Sequence, residues 1–167
     1  MFKVLIICTG NICRSPMAEY LLKSLIDNEE LNHTVFVHSA GNGAIDGLEA
    51  ADYTKIVCSK HNLDISPHRS RSIRMDIIKC ADLILCMGEH HKRDLQIVFP
   101  HYKHKIFTVR EYKHHGHLGT LTINDPFGRS LQAYERAFDE IQNEVIRIWP
   151  EIKHLAIEKK KNDSVEN

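Results

Sequence analysis

Several absences narrow the possibilities before any motif is read. No apolar run approaches the roughly 20 residues that a membrane-spanning helix requires. Lys and Arg together number 22, and so do Asp and Glu. The chain therefore has no global field to draw it to nucleic acid or to an anionic membrane. No C-x-x-C spacing occurs, which argues against a structural zinc site. Cysteine is scarce, and its five positions (Cys8, Cys13, Cys58, Cys80 and Cys86) form an odd set without a framework spacing. Such a set reads as free thiols in a reducing compartment. The chain passes from Met1-Phe2-Lys3 straight into an apolar strand with no signal-peptide anatomy. The expected location is the cytoplasm. No internal repeat and no linker is visible.

What is present is an alternation of strand and helix patterns. Lys3–Cys8, Val35–Ser39, Ala81–Met87 and Lys105–Val109 are short apolar runs that predict strands. Pro16–Asn28 places Met17, Leu21, Leu22, Leu25 and Ile26 on one helical face. Leu48–His61 predicts a second helix, with Tyr53, Ile56 and Val57 inward. From Ser130 to Trp149 the apolar residues Leu131, Tyr134, Phe138, Ile141, Val145 and Ile148 recur at helical spacing. Short buried strands with intervening helices imply a small doubly wound α/β domain. The expected fold is a four-stranded parallel sheet with helices on both faces. Residues 1–155 form the domain, and 156–167 form a polar tail expected to fray.

In such folds ligands sit at the carboxyl ends of the strands. The first strand ends on Cys8, and the stretch Cys8-Thr9-Gly10-Asn11-Ile12-Cys13-Arg14-Ser15 follows it. Gly10 and Asn11 tolerate positive φ. Ser15-Pro16 reads as a helix start, with Ser15 the N-cap and Pro16 the first helical residue. A strand–loop–helix of this kind turns backbone N–H groups inward and makes a nest for an anion. The nucleotide P-loop pattern is absent. A cysteine at the base of the nest, near a helix N-terminus and a guanidinium, is expected to be a thiolate. Arg14 offers a planar fork for two phosphate oxygens. A nucleophile beside a cradle for a tetrahedral oxyanion is what phosphoryl transfer through a cysteinyl-phosphate requires. Buried cysteines and Gly-Asn turns are common separately. Cys-x5-Arg-Ser between a strand and a helix is far more specific.

The stretch "CTGNICRSPMAE" resembles the signature of the low-molecular-weight protein tyrosine phosphatases, of bacterial type. "HSAG", "SPHRSRSI", "ADLILCM" and "NDPFG" recur in that family's order, so the resemblance runs from about Lys3 to Trp149. It implies a metal-independent phosphatase without cofactor, acting on phosphotyrosine proteins or small aryl phosphates. By resemblance Asp125 is the general acid and then the general base. Thr9 to Ser15 bind the phosphate, and Asn11, Ser15, Ser39 and His68 support the loop. Cys13 resembles a second loop cysteine that forms a reversible disulfide with Cys8 under oxidation.

The chain also departs from the pattern. The place of an aromatic substrate wall after "SAG" falls at Ile45, leaving Phe127 as the main wall. A branch of the same family that acts on phosphoarginine typically carries Thr where this chain has Ile12. A branched apolar residue there favours an aryl ester over a polar guanidinium. Two other readings stand beside this one. A thioredoxin-coupled arsenate reductase needs a second cysteine after Cys86, and none follows. A non-catalytic anion-binding module has no use for nucleophile, arginine and acid together. The histidine-rich Lys113–His117 fits no standard metal spacing and reads as a solvated loop. His68–Arg74 is a short basic patch.

Overall fold

The computed structural model describes residues 1–116 and 119–165. Four strands, β1 (Phe2–Cys8), β2 (Val35–Gly41), β3 (Leu83–Cys86) and β4 (Ile106–Thr108), form one sheet. All neighbours are parallel, in the order β2-β1-β3-β4. Five helices flank it: α1 (Arg14–Asn28), α2 (Asp52–Lys60), α3 (Met75–Cys80), α4 (Glu89–Val98) and α5 (Leu131–Val165). This is the doubly wound α/β arrangement expected from the strand and helix patterns.

Both faces of the sheet are covered, which explains why β1 is continuously apolar rather than alternating. Val4, Ile6 and Cys8 face one core with Met17, Val57, Phe138 and Ile141. Leu5 and Ile7 face the other, with Ile78 and Leu95. Each fully buried Leu or Ile contributes about 1.5–3 kcal/mol. Strand order reverses at β1, so the loops after β1 and β3 diverge there and leave a crevice. Cys8 ends β1 at that crevice, in register with Gly41 of β2.

Four elements differ from expectation. α2 starts at Asp52, not Leu48, and buries Thr54, Val57 and Cys58. Tyr53 and Ile56 are 42% and 43% exposed, so they do not face inward. Residues 48–51 are not helical: Leu48 is tied to Ser70, and the Ala51 N–H donates to the Ile12 carbonyl at 2.9 Å in the loop after β1. α3 and α4 are short, mixed-polarity helices that apolar periodicity does not reveal. α5 does not end at Trp149; it continues through Pro150 to Val165. Its inner face carries on with the buried Ile152 and Ala156. Glu29 accepts from Trp149 Nε1 at 2.6 Å and Lys153 at 2.8 Å, and Lys159 pairs with Asp82 at 2.7 Å. The segment expected to fray is therefore docked on the domain as far as these contacts reach.

Candidate active site

The loop after β1 is organised around one sulfur. Cys8 is 2% exposed. The Asn11 N–H donates to its Sγ at 3.3 Å, and Ser15 Oγ lies 3.0 Å away. Asn11 makes this turn with φ 55°, in the left-handed region, whereas Gly10 does not use a positive φ. Asparagine is among the residues that accept this conformation at least cost.

Ser15 is not an N-cap. α1 begins two residues earlier than expected, at Arg14, with Cys13 at the cap position and no side-chain cap bond. The Ser15 hydroxyl is occupied elsewhere. Asn11 Nδ2 donates to both Ser15 Oγ (2.9 Å) and Ser39 Oγ (2.7 Å). Ser39 in turn donates to Glu19 Oε2 at 2.5 Å. With the Asn11 amide protons spent on both hydroxyls, the Ser15 proton is left for the sulfur. Cys8 Sγ is thus the terminal acceptor of a buried, directional network. His68 Nε2 donates to the Asn11 carbonyl at 2.8 Å, and the Arg71 N–H donates to Asn11 Oδ1 at 2.9 Å. Burial pushes the His68 pKa down, against the Asn11 carbonyl and the Glu19 carboxylate, which raise it. The expected supports Asn11, Ser15, Ser39 and His68 therefore come together, beneath the loop.

Two members of the site escaped sequence reasoning. Glu19 is 3% exposed and ion-paired with Lys23 at 2.6 Å. Its signal was a carboxylate four residues after Ser15 on the buried face of α1. His91, from α4, is fully buried and reaches Thr9 Oγ1 with Nε2 at 2.9 Å. Burial, then the like charges of His90 and Arg14, push its pKa down to about 3, so it is a neutral imidazole. The other side of Thr9 is held by backbone. The Gly43 N–H donates to Thr9 O at 3.0 Å, and a Cβ at Gly41 would lie 2.3 Å from that oxygen. Only glycine fits at position 41. His91→Phe is expected to lower kcat/KM about fivefold by losing one hydrogen bond. His91→Asn should recover most of that, since an amide can meet the Thr9 hydroxyl. An Asn variant worse than Phe in steady-state assays would mean that ring packing, not the hydrogen bond, matters.

Arg14 is 2% exposed. Its Nη1 donates to the Ile123 carbonyl and its Nη2 to Asp125 Oδ2, both at 2.9 Å. Its Nε is buried and has no hydrogen-bond partner among the described residues. An unsatisfied buried N–H is costly, and an anion oxygen would satisfy it. The acid-bearing loop is anchored by the Ile123 N–H on the Met87 carbonyl at 2.9 Å, at the end of β3. The Phe127 N–H donates to Asp125 Oδ1 at 3.2 Å. Asp125 itself is 46% exposed.

These groups enclose a cleft of about 160 Å³ lined by Cys8, Thr9, Gly10, Ile12, Cys13, Arg14, Asp125 and Phe127. Phe127 and Ile12 stand at it as apolar walls. Ile45 is not among the lining residues; its side chain is 70% exposed and its carbonyl accepts from Ser70 Oγ. Cys13 lines the cleft, but its Sγ is hydrogen-bonded with the Tyr134 hydroxyl at 3.4 Å. Burial pushes the Cys13 thiol up to about 11 and Cys58 up to about 12, and raises Cys86 further. None of these three competes with Cys8 as a nucleophile. Among the described residues, no group of three or more His, Cys, Asp or Glu is placed to hold a metal. His117 of the histidine-rich loop lies outside the described residues.

Comparison with known proteins agrees with this geometry. The family model for "Low molecular weight phosphotyrosine protein phosphatase" matches residues 3–161. The probable low molecular weight protein-tyrosine-phosphatase EpsP of Ralstonia solanacearum is 36% identical over 152 residues, 91% of this chain and 97% of its own length. The protein-arginine-phosphatase of Bacillus subtilis (strain 168) is 34% identical over 150 residues, 90% of this chain and 96% of its own. Among solved structures, a YwlE mutant from Bacillus subtilis superposes with TM-score 0.83 at 32% identity, covering 92% of this chain and 99% of that one. The low molecular weight protein tyrosine phosphatase from T. tengcongensis gives 0.80 at 35% identity, covering 90% and 99%. With the match running nearly end to end and the nucleophile loop intact, the chain belongs to the low molecular weight phosphotyrosine protein phosphatase family.

Proposed function

We propose that this protein hydrolyses phosphotyrosine through a cysteinyl-phosphate intermediate. The observation that carries the reading is that one small cleft is lined by the terminal acceptor of a donor network, a buried guanidinium with a free N–H, and a carboxyl group.

The roles follow from the geometry. Cys8 Sγ attacks phosphorus in line while the bond from phosphorus to the phenolic oxygen breaks. Protonated Asp125 gives its proton to the leaving phenolate. Arg14 turns from Asp125 to the phosphate, offering Nε and Nη2 to two oxygens. Water, deprotonated by the Asp125 carboxylate, then attacks phosphorus. The bond to sulfur breaks, inorganic phosphate leaves, and the electron pair returns to Cys8. The Ser15 hydroxyl and Asn11 N–H hold the sulfur in place before attack and stabilise it as the leaving thiolate when the bond to phosphorus breaks.

Substrate choice rests on the walls. Ile12 and Phe127 flank the nucleophile with apolar surface that suits a flat aryl ring. The phosphoarginine reading has support of its own, because a protein-arginine-phosphatase is among the relatives. The exposed Asp125 carboxylate could also pair with a substrate guanidinium. Comparing kcat/KM on matched phosphotyrosine and phosphoarginine peptides separates the two. The wild type is expected to prefer phosphotyrosine, and Ile12→Thr to shift the ratio toward phosphoarginine by about tenfold. A wild-type preference for phosphoarginine overturns the substrate assignment. The five unpaired cysteines support a reducing, cytoplasmic location. Among the described residues, no helix is long and apolar enough to cross a membrane.

A further inference from the structure

Next to the cleft, on the far side of the acid loop, is a second and smaller pocket. It has a volume of about 70 Å³, and Asp125 lines both spaces. Its walls are Asn124 and Pro126 from the loop and Arg129, Arg136 and Glu140 from the start of α5 and the turn before it. Ala133 and Ala137, one helical turn apart, leave its floor without bulk.

Charge pairing around this pocket is uneven. Its two carboxylates are already engaged: Asp125 with Arg14 at 2.9 Å and Glu140 with Arg110 at 2.6 Å. Neither the Arg129 nor the Arg136 guanidinium has a partner among the described residues. In the free protein both guanidinium groups are therefore without an ion pair of their own, close to the cleft. In the basic stretch His68–Arg74, Arg69 and Arg74 have Glu49 and Asp76 as partners, while the Arg71 guanidinium has no hydrogen bond or ion pair among the described residues.

We propose that this pocket is a substrate subsite for an acidic side chain flanking the phosphorylated residue, held by Arg129 and Arg136. The assignment rests on the phosphatase reading above. The volume fits a carboxylate and about one water, whose share of liquid volume is about 30 Å³, and is too small for a ring. Two exposed guanidinium groups favour a carboxylate by modest, salt-sensitive amounts.

Three phosphotyrosine peptides that differ only in carrying Glu, Ala or Lys on either side of the phosphotyrosine test this. The wild type is expected to show kcat/KM about fivefold higher for Glu than for Lys, with the ratio shrinking in high salt. In Arg129→Ala/Arg136→Ala the ratio should fall to about one. Taking the ratio within each preparation removes any effect of folding yield. Arg74→Ala should keep the wild-type ratio. No preference for Glu in the wild type, a preference that survives the double substitution, or its loss in Arg74→Ala instead would each overturn the subsite. p-Nitrophenyl phosphate, assayed alongside with the wild type, separates the two levels. Its turnover without charge preference defeats the subsite alone. No turnover of any aryl phosphate defeats the phosphatase reading and the subsite with it.

Discussion

Cys8→Ser is expected to abolish turnover of aryl phosphates while leaving inorganic phosphate binding within a few-fold of wild type. A serine hydroxyl is a weak nucleophile unless a base removes its proton. Among the described residues no base is hydrogen-bonded to the sulfur, and Asp125 is held by Arg14. The atoms on the sulfur are donors, Ser15 Oγ–H and the Asn11 N–H. The two nearby buried imidazoles are committed elsewhere, His68 to the Asn11 carbonyl and His91 to Thr9. The loss should approach that of removing a nucleophile outright, on the order of 10^6-fold in kcat. That corresponds to about 8 kcal/mol of barrier. The cradle is made of backbone and Arg14, so phosphate should still bind, as isothermal titration would show. Turnover within tenfold of wild type would refute the covalent mechanism. Loss of phosphate binding would refute the cradle. Phosphate binding without turnover in the wild type would identify an anion-binding module instead.

Asp125→Asn is the second large effect, and its signature is dependence on the leaving group. Removing a general acid costs about 10²–10⁴-fold. The cost should fall near the upper figure for phenyl phosphate, whose phenolate leaves poorly, and be much smaller for an activated nitrophenyl ester. Equal losses on both would remove Asp125 from the acid role. Phosphate affinity adds a second readout. Asp125 holds Arg14 Nη2 in the free protein. Asparagine offers a neutral acceptor there, so the guanidinium is released to the anion at less cost. Phosphate should bind as tightly or more tightly, and weaker binding would show that Asp125 acts by shaping the cradle.

The nucleophile loop could be read from residues alone because its parts are contiguous. Cys8, Asn11, Arg14 and Ser15 lie within one strand–loop–helix segment, so their chemistry follows from spacing. The strands were legible for a related reason. Burial on both faces leaves unbroken apolar runs such as Val4 to Ile7, and only their ends shifted by a residue or two. The course of α5 was legible to Trp149 by period, and less so beyond it, where Pro150 interrupts the helical signal but not the buried face. Ser15 was misread locally. Its position before proline looks like a cap, yet its hydroxyl is taken up by Asn11 and Cys8.

The alternating α/β order and the loop chemistry follow from residue order alone, since both depend on neighbours a few residues apart. Tertiary structure decided everything that crosses the sheet. It brought Asp125 to Arg14 across 111 residues, and His91 to Thr9 across 82. It seated Glu19 and Ser39 beneath Asn11, and left Ile45 outside the cleft. The reason is geometric. Periodicity reports which face of an element is buried, but not which buried polar atom meets which. That pairing is set only when the parallel register of β1 with β2 and β3 fixes the ends of three strands at one crevice.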